Sequence, residues 1–410
     1  MLPIPQARLV HNLRRSREIT NILARYGYDW LLAGWNQTPV GQLRFRFTRS
    51  QQKNYSGPQQ IRFALEELGT TFIKLGQTLS TRPDLVPPDY LVELAKLQDS
   101  VKPVPYPEIA AIIRRELGKA PEEIFAFIDP IPRATASIGQ VHRATLVDGS
   151  EVIVKVQRPG VETQVAQDLA ILSDLATWLS KREDISDLYD FEGWVDEFSS
   201  TLRDELDFTM EGRNADRMRR NFDGDPTIHI PLVYWDYTTK AVMVQEEICG
   251  IKISDVAALD AAGLDRRTLA ANCARIALIQ IFKHGFFHAD PHSGNFFVES
   301  DGTIGLIDFG LVGRLDRSMR EALLRLMMAI SSRDANRLVD ELLDLGVSRR
   351  HLNRNLLKRD LDHLIYHYAD GPLSDVSGSQ IFTQITSISL KHKLQLPAEL
   401  TLLAKVIVMD

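Results

Sequence analysis

Residues 288–310 contain the groups that a magnesium and phosphate site needs, in the order in which such a site uses them. Asp290 is a carboxylate that can face a nucleophile, and Asn295, five residues later, offers an amide oxygen to a hard cation. Asp308 begins the tripeptide Asp-Phe-Gly and supplies a second carboxylate. The spacing predicts Asp290 as a catalytic group and Asn295 and Asp308 as ligands of Mg²⁺.

The segment upstream supplies a phosphate loop and a cation. Residues 139–157 alternate as two strands around Asp148-Gly149, which is a strong hairpin signal. Lys155 stands on the second strand, where a lysine among buried neighbours needs an anionic partner. The loop before the hairpin is predicted to bind ATP or ADP through Ala134, Thr135, Ala136, Ser137, Ile138, Gly139 and Gln140.

The order of loop, strand lysine, helix glutamate, Asp-x4-Asn and Asp-Phe-Gly predicts an α+β fold with the two lobes of a protein kinase. Each part alone also has an ordinary structural explanation, because Asp-Phe-Gly occurs by chance and strand lysines are usually solvated. Long helices are expected over residues 161–220, and strands at 228–234 and 241–247. By analogy with kinases, Glu246 and Ile248 would lie at the hinge that meets adenine.

A block of helices precedes the phosphate loop. Apolar residues keep helical spacing from Ile61 to Leu79, and further helices are predicted at residues 90–97 and 108–117. After Asp-Phe-Gly the helical spacing resumes at once, and no Ala-Pro-Glu follows. We therefore expect a helical extension on the core and no conventional activation segment.

These motifs resemble those of the UbiB family of atypical kinases, the AarF-domain proteins linked to ubiquinone and other prenyl-lipid pathways. The resemblance runs from about Ile61 to Asp410. It is specific, because ordinary protein kinases lack the K-x-G-Q motif and the alanine-rich loop. The matching segments are Phe72-Ile73-Lys74-Leu75-Gly76-Gln77 for K-x-G-Q, residues 134–140 for the alanine-rich loop, Glu205-Leu206-Asp207 for E-x-D, and Glu211 for the glutamate that pairs with the strand lysine.

The resemblance implies roles for the residues in these motifs. Lys155 would hold the α- and β-phosphates and be oriented by Glu211, so both join Asp290 as catalytic residues. Glu205, Asp207 and Glu211 share a helical face only approximately.

Lys74 would pair with Glu205 and Asp207 and, with Gln77, form a regulatory latch over the active site that hinders entry of a peptide. The alternative is a surface lysine whose stem covers apolar groups.

Four regions follow from the motifs: residues 1–55 as a basic amphipathic segment, 56–130 as the helical K-x-G-Q extension, 131–248 as a kinase-like N-lobe, and 249–410 as a C-lobe that we expect to be truncated. We predict an atypical kinase-like ATPase that passes phosphate to water or an unidentified acceptor, and the resemblance implies that it supports prenyl-quinone biosynthesis. A small-molecule or lipid phosphotransferase and a nucleotide-gated scaffold for lipid or protein are the alternatives.

Composition limits the remaining possibilities. The 410 residues are 44% hydrophobic and 25% charged, enough for a large core. Cys249 and Cys273 are too few for a disulfide framework, which favours a reducing compartment. No run reaches the roughly 18 apolar residues of a membrane helix. The resemblance to the UbiB family implies as partners the nucleotide, prenyl lipid or quinone intermediates, and other quinone-biosynthesis proteins, with no nucleic acid.

The N-terminal 50 residues contain eight arginines against Glu18 and Asp29, whereas the whole chain carries a net charge of −6. Leucines and isoleucines share this stretch, so an amphipathic helix could lie on an anionic membrane surface. This would make the chain a peripheral protein on the cytoplasmic face of a bacterial-type membrane, or on an organellar inner membrane. The alternative is a helix docked on its own protein, and a transit peptide is a weaker one.

His284, His288 and His292 stand at intervals of four residues and suggest a zinc site. Gly285 and Pro291 interrupt any helix that would place them on one face, and no further ligand completes the set. The preferred interpretation makes His288 a structural anchor of the loop around Asp290.

Overall fold

The structure is a computed structural model that describes residues 6–27, 55–80, 82, 85–97, 101–181, 190–345, 353–369, 384, 387–388, 391–392, 394 and 402–403. The chain forms two compact units. Unit 1 consists of Met1–Phe208 and Trp235–Val244, and unit 2 of Thr209–Tyr234 and Gln245–Asp410. The four-part division from the motifs stays a prediction.

Unit 1 begins with the helical extension. Its predicted single run from Ile61 to Leu79 is two helices, because Gly69 has a φ of +91° that interrupts them. Gly118, in the left-handed conformation, ends the helix at Leu117 as predicted. The helices are Gln6–Arg25, Gly57–Leu68, Thr70–Ser80, Pro88–Leu94, Tyr106–Leu117, Pro121–Ile124, Val161–Ser180 and Phe191–Glu205.

The described part of the N-terminal helix docks on its own protein. Ile19 and Ile22 are buried in the same apolar cluster as Leu65. Arg15 is buried as well, and its Nε lies 2.7 Å from the Asp168 carboxylate. The docked alternative therefore holds for this helix, whereas most of the basic segment up to residue 54 lies outside the described residues.

The sheet of unit 1 carries the predicted hairpin. Strand Gly139–Leu146 pairs antiparallel with Glu151–Gln157, and Val141 lies opposite Lys155. Gly149 forms the turn with a φ of +91°, a conformation that favours glycine. The sheet has the order Phe125–Ile128, Gly139–Leu146, Glu151–Gln157, Val242–Glu246, with Ala134–Thr135 also paired to Gly139–Leu146.

The E-x-D segment is a break between two helices. Helix Phe191–Glu205 ends there, and Phe208–Asn221 starts after Asp207. The backbone is held at the break, since Gln157 Nε2 donates to the Leu206 carbonyl. Glu205 and Glu211 therefore belong to different helices, and the expectation that they approximately share one helical face was wrong.

Unit 2 has its own apolar core, in which Met218, Phe286 and Phe309 are almost completely buried. The strand expected at 228–234 is only Ile228–His229, because Pro231 cannot donate to a ladder. One sheet has the order Ile228–His229, Ile304–Leu306, Phe296–Val298, Ile251–Lys252, and a second pairs Phe286–His288 with Val312–Arg314. The helices are Phe208–Asn221, Val256–Ala261, Arg266–Leu278, a π-helical Ile279–His284, Arg317–Ser331, Ala335–Asp344 and Arg354–Ala369.

The segment after Asp-Phe-Gly is short, as predicted. Strand Val312–Arg314 follows directly, and Asp316 then caps helix Arg317–Ser331 by accepting the Met319 N–H at 2.7 Å. No helix within the described ranges is both long and apolar enough to cross a membrane.

Candidate functional site

The alanine-rich loop is a tight turn between two strands of unit 1. Ala134 and Thr135 pair with Val141 and Gln140, and the Ala136 N–H donates to the Gly139 carbonyl at 2.8 Å. A Cβ atom on Gly139 would lie 2.7 Å from the Val156 carbonyl oxygen. Only glycine fits there, so the single glycine of this loop is required by strand packing.

Burial divides the predicted nucleotide residues of the loop into two groups. Ala134 and Ala136 are exposed and Thr135 is half-buried, whereas the residues from Ser137 to Gln140 are buried. Gln140 donates to the carbonyl of Val104 at 3.2 Å and accepts its N–H at 2.8 Å. The Gln140 side chain therefore has a structural task, and its contact with nucleotide stays a prediction.

Ser137 is the polar group that this packing leaves incomplete. Its carbonyl accepts the Thr70 hydroxyl at 3.0 Å. Its own hydroxyl is buried and has no hydrogen-bond partner among the described residues. A buried hydroxyl without a partner costs free energy, so a polar ligand at this turn would supply what is lacking. The turn thus fits a phosphate chemically.

Lys155 lies on the central strand Glu151–Gln157 between Val154 and Val156, which are fully buried. Its ammonium lies 5.0 Å from the centroid of the Phe208 ring, a cation–π distance. Phe208 directly follows the E-x-D motif, and only the folded chain brings it to Lys155. Glu211, the predicted partner of Lys155, belongs to unit 2, and their pairing stays a prediction.

One ion pair of the predicted latch is present in unit 1. Lys74 Nζ lies 2.5 Å from Glu205 Oε1, with side chains that are 19% and 31% exposed. Gln77 Nε2 donates to the Leu97 carbonyl at 3.2 Å, and Asp207 lies 4.0 Å from the Lys240 ammonium. Lys74 is thus paired with a carboxylate, while its regulatory role stays a prediction.

His288 organises the catalytic loop of unit 2. Its Nε2 lies 2.7 Å from the Asp308 carbonyl, which can only accept, so Nε2 carries the proton. Nδ1 then accepts the N–H of Asp290 at 3.2 Å. Burial lowers the pKa of His288 below its ordinary value of 6.5, which favours this neutral form. The imidazole therefore fixes the loop carrying Asp290 to the segment carrying Asp308.

Asn295 is oriented by the same loop. Its Nδ2 donates to the Asp290 carbonyl at 3.0 Å, and the residue is only 5% exposed. This bond uses the amide nitrogen and leaves Oδ1 as the atom that suits a hard cation. Asn295 therefore has the orientation that a magnesium ligand needs.

Asp308 is exposed and has a φ of +61°, an uncommon conformation for a residue other than glycine. Its Oδ1 accepts the Gly310 N–H at 3.2 Å. A Cβ atom on Gly310 would lie 3.1 Å from Asp308 Oδ1 and 4.0 Å from Glu211 Oε2. The Glu211 and Asp308 carboxylates therefore both lie close to Gly310, and the absence of a side chain at Gly310 leaves space for them.

Two polar residues that we did not predict hold this site. Asn214 Nδ2 donates to the Phe309 carbonyl at 3.1 Å, one turn after Glu211 on the same helix. Gln280 Oε1 accepts the His288 N–H at 2.8 Å from the π-helical segment. Both are buried. Their only sequence signal is a polar residue on an apolar helix face, which by itself does not identify a partner.

The predicted hinge residues have contacts within unit 2. The Glu246 carboxylate accepts the Leu232 N–H at 3.1 Å and lies 3.2 Å from His229. Ile248 is buried, and a Cβ atom on Gly305 would lie 2.4 Å from its Cγ2. A contact of Glu246 and Ile248 with adenine stays a prediction.

The three histidines at intervals of four have separate environments. His284 packs its ring against Phe222, His288 is bonded as described above, and His292 accepts the Gly294 N–H. Across the part of the chain that the structure describes, no group of three or more His, Cys, Asp or Glu side chains is arranged to hold a metal. The two predicted magnesium ligands are an amide and a single carboxylate, so they do not form a group of three such side chains.

Family models match most of the chain. A model described as the ABC1 atypical kinase-like domain matches residues 96–342, and one described as the UbiB helical domain matches residues 361–409. The α+β kinase-like fold predicted from the motifs is thereby confirmed.

Curated proteins are similar over nearly the whole chain. A probable protein kinase UbiB of Cellvibrio japonicus is 36% identical over 396 residues, which cover 95% of this chain and 72% of that protein. Another of Marinobacter nauticus is 38% identical, with 92% and 67% covered. An uncharacterized protein of Synechocystis sp. is 38% identical, and the chain spans only 66% of its length.

A solved structure is also similar. It is the complex of Rv3197 with erythromycin from Mycobacterium tuberculosis, with a TM-score of 0.58 and 25% sequence identity. The match covers 84% of this chain and 89% of that one.

Proposed function

We propose a nucleotide-dependent function for this chain, which belongs to the UbiB family of ABC1 atypical kinases. It binds a magnesium complex of ATP or ADP and hydrolyses ATP. The observation that carries the proposal is the His288 imidazole, which joins the loop of Asp290 and Asn295 to the backbone of Asp308. A merely structural loop would not need to hold a carboxylate, an amide oxygen and a second carboxylate together.

Each group of unit 2 has one task in this proposal. Asn295 and Asp308 hold magnesium, which when bound neutralises phosphate charge. Asp290 orients a water molecule or an acceptor hydroxyl and can take its proton as a general base. Glu211 places a second carboxylate beside Asp308 and is the group assigned to orient the strand lysine.

Unit 1 supplies the phosphate contacts. Lys155 provides a cation on a rigid strand, and the alanine-rich loop provides the backbone N–H groups that its own turn does not use. The buried hydroxyl of Ser137 is a further donor without a partner among the described residues. The Phe208 ring lies at a cation–π distance from the Lys155 ammonium.

A role in prenyl-quinone biosynthesis follows only from the family and from the name of the UbiB relatives. We propose that the phosphate acceptor is water, so that nucleotide hydrolysis supports other biosynthetic steps. The short segment after Asp-Phe-Gly supports water over a peptide acceptor, because a peptide normally rests on a longer segment.

The function is tested by incubating the protein with γ-labelled ATP and magnesium, with and without detergent-solubilised prenyl phenols. We expect labelled free phosphate and no labelled lipid. A labelled lipid formed in proportion to nucleotide consumed would instead identify a lipid phosphotransferase. Nucleotide binding with neither product would indicate a nucleotide-gated scaffold.

Asp308→Asn should abolish the magnesium-dependent stabilisation by ATP, because it removes a full charge from a hard-cation site. Asp301→Asn is the matched control, since Asp301 is an exposed turn residue of the same unit. Thermal-shift titration with ATP, with and without magnesium, measures the effect. An unchanged magnesium-dependent shift in Asp308→Asn would exclude Asp308 from the site.

A further inference from the structure

Three consecutive carbonyl groups in the turn of the alanine-rich loop, those of Ser137, Ile138 and Gly139, are held by the protein. Two of the three donors are backbone N–H groups, and the third is a side-chain hydroxyl. The Ser137 carbonyl accepts from Thr70 Oγ1 at 3.0 Å, the Ile138 carbonyl from the Arg158 N–H at 2.8 Å, and the Gly139 carbonyl from the Ala136 N–H at 2.8 Å.

The Thr70 bond fixes the direction of one peptide group. In a trans peptide the C=O and the following N–H point in opposite directions. Because the Ser137 carbonyl points at Thr70, the N–H of Ile138 points away from helix Thr70–Ser80. An anion is attracted by an N–H group and repelled by a carbonyl oxygen, so this direction decides how the turn meets a phosphate.

Thr70 is itself held firmly in place. The next residue, Thr71, is fully buried and donates from Oγ1 to the Asp168 carboxylate at 2.8 Å. Asp168 also accepts two bonds from Arg15. The beginning of helix Thr70–Ser80 is therefore anchored to the core of unit 1, and the Thr70 hydroxyl cannot readily follow a moving loop.

On the basis of the proposed nucleotide function, we propose that Thr70 is a positioning residue for the nucleotide phosphates. It holds the Ser137 carbonyl against the K-x-G-Q helix and thereby keeps the N–H of Ile138 available to the anion. The buried Ser137 hydroxyl, which has no partner among the described residues, points independently to a polar ligand at the same turn. The K-x-G-Q helix thus contributes to phosphate binding through Thr70, separately from the Lys74 pair.

Thr70→Val tests the proposal, because valine keeps the shape of threonine and removes the hydroxyl. We expect the dissociation constants of magnesium ATP and magnesium ADP to rise about threefold to tenfold, the effect of one hydrogen bond. Thr70→Ser keeps the hydroxyl and should restore parental affinity. Adenosine, which lacks phosphate, should compete equally well for the parent and for Thr70→Val. Titration calorimetry measures the nucleotides, and competition in thermal shift measures adenosine.

Thr201→Val is the matched control, since the exposed Thr201 also donates its hydroxyl to a backbone carbonyl in unit 1. It should bind all ligands as the parent does. Equal nucleotide affinity of Thr70→Val and parent would overturn the inference, and so would an equal loss for adenosine. A parent that binds no magnesium nucleotide would instead refute the proposed function, so the two failures are distinguishable.

Discussion

At the scale of single residues, hydrogen-bond partners determine which form each buried histidine takes. His142 is fully buried, and its Nδ1 lies 2.7 Å from the Asp129 carbonyl, so Nδ1 carries the proton. Nε2 then accepts from the Gln140 amide at 2.8 Å. This chain of bonds joins the alanine-rich hairpin to Val104, and it requires a neutral imidazole.

The stability of unit 1 should therefore depend on pH through His142. Burial lowers its pKa below the ordinary 6.5, so unfolding takes up a proton once the pH falls below about 6.5. The free energy of unfolding should decrease from there toward the folded pKa, by at most about 1.4 kcal/mol per pH unit. Urea unfolding between pH 5 and 8 measures it for the parent and for His142→Gln, which should lose this dependence.

His363→Gln, which removes an exposed imidazole, is measured beside these two proteins as the control for the substitution itself. A parent and a His142→Gln variant with parallel pH profiles would show that the His142 ring is not held neutral by its surroundings.

The sequence pointed to some residues of the candidate functional site and not to others, for a physical reason. Asp290, Asn295 and Asp308 could be named as candidates because the motif has a fixed spacing along the chain, and their roles stay predictions. Asn214 and Gln280 could not be named, because their partners lie 95 and 8 residues away and their bonds exist only after packing. Position in the chain says nothing about such a bond.

At the scale of elements, the alanine-rich loop is the part where nucleotide preference is most open to change. Ala136 is exposed, and its N–H is used by the turn. Ala136→Gly should change the affinity for ADP or ATP, because glycine lets the turn rearrange and direct more N–H groups to the phosphates. Calorimetric titration of both nucleotides measures the affinities.

Ala126→Gly, at an exposed position of strand Phe125–Ile128, is the control for added flexibility. It should leave both affinities unchanged. If Ala136→Gly behaved in the same way, the loop would not touch the nucleotide.

The N-terminal helix depends on one buried ion pair. Asp168 is completely buried and bound by Arg15 and Thr71, so Arg15→Ala would leave a carboxylate without its cation. We expect a loss of about 3–5 kcal/mol in the free energy of unfolding. Arg25 lies on the same helix as Arg15, and Arg25→Ala breaks its exposed pair with Glu67 of helix Gly57–Leu68. This change should cost at most about 1 kcal/mol.

Urea unfolding of the two variants makes the comparison. Equal losses would mean that the Arg15 pair is not the anchor of this helix. The sequence left the docked and lipid-bound alternatives open, because both use the same amphipathic pattern. The docked alternative depends on the ion pair with Asp168, and the helix of Asp168 begins more than 100 residues later in the chain.

At the scale of the whole molecule, the region boundaries predicted from the order of motifs differ from the boundaries of the two compact units. The motifs place residues 131–248 in one predicted lobe, while the chain from Thr209 to Tyr234 belongs to unit 2. Met218 and Phe222 of that segment pack in the same cluster as Phe286. The motifs are ordered along the backbone, whereas the compact units form where apolar faces of helices and strands pack together. A sequence pattern does not predict which of these faces pack against each other.

Turnover by the whole protein should respond to Lys74 if its pair with Glu205 acts as a latch. Lys74→Ala should leave magnesium-nucleotide affinity intact while changing phosphate release and permitting autophosphorylation that the parent lacks. The stability cost should be only about 1 kcal/mol, because both side chains keep some exposure. Lys96→Ala, which breaks the exposed pair with Glu93, is the control. Melting temperature, nucleotide affinity and phosphate release are measured together, and a Lys74→Ala variant equal to Lys96→Ala in all three would end the latch hypothesis.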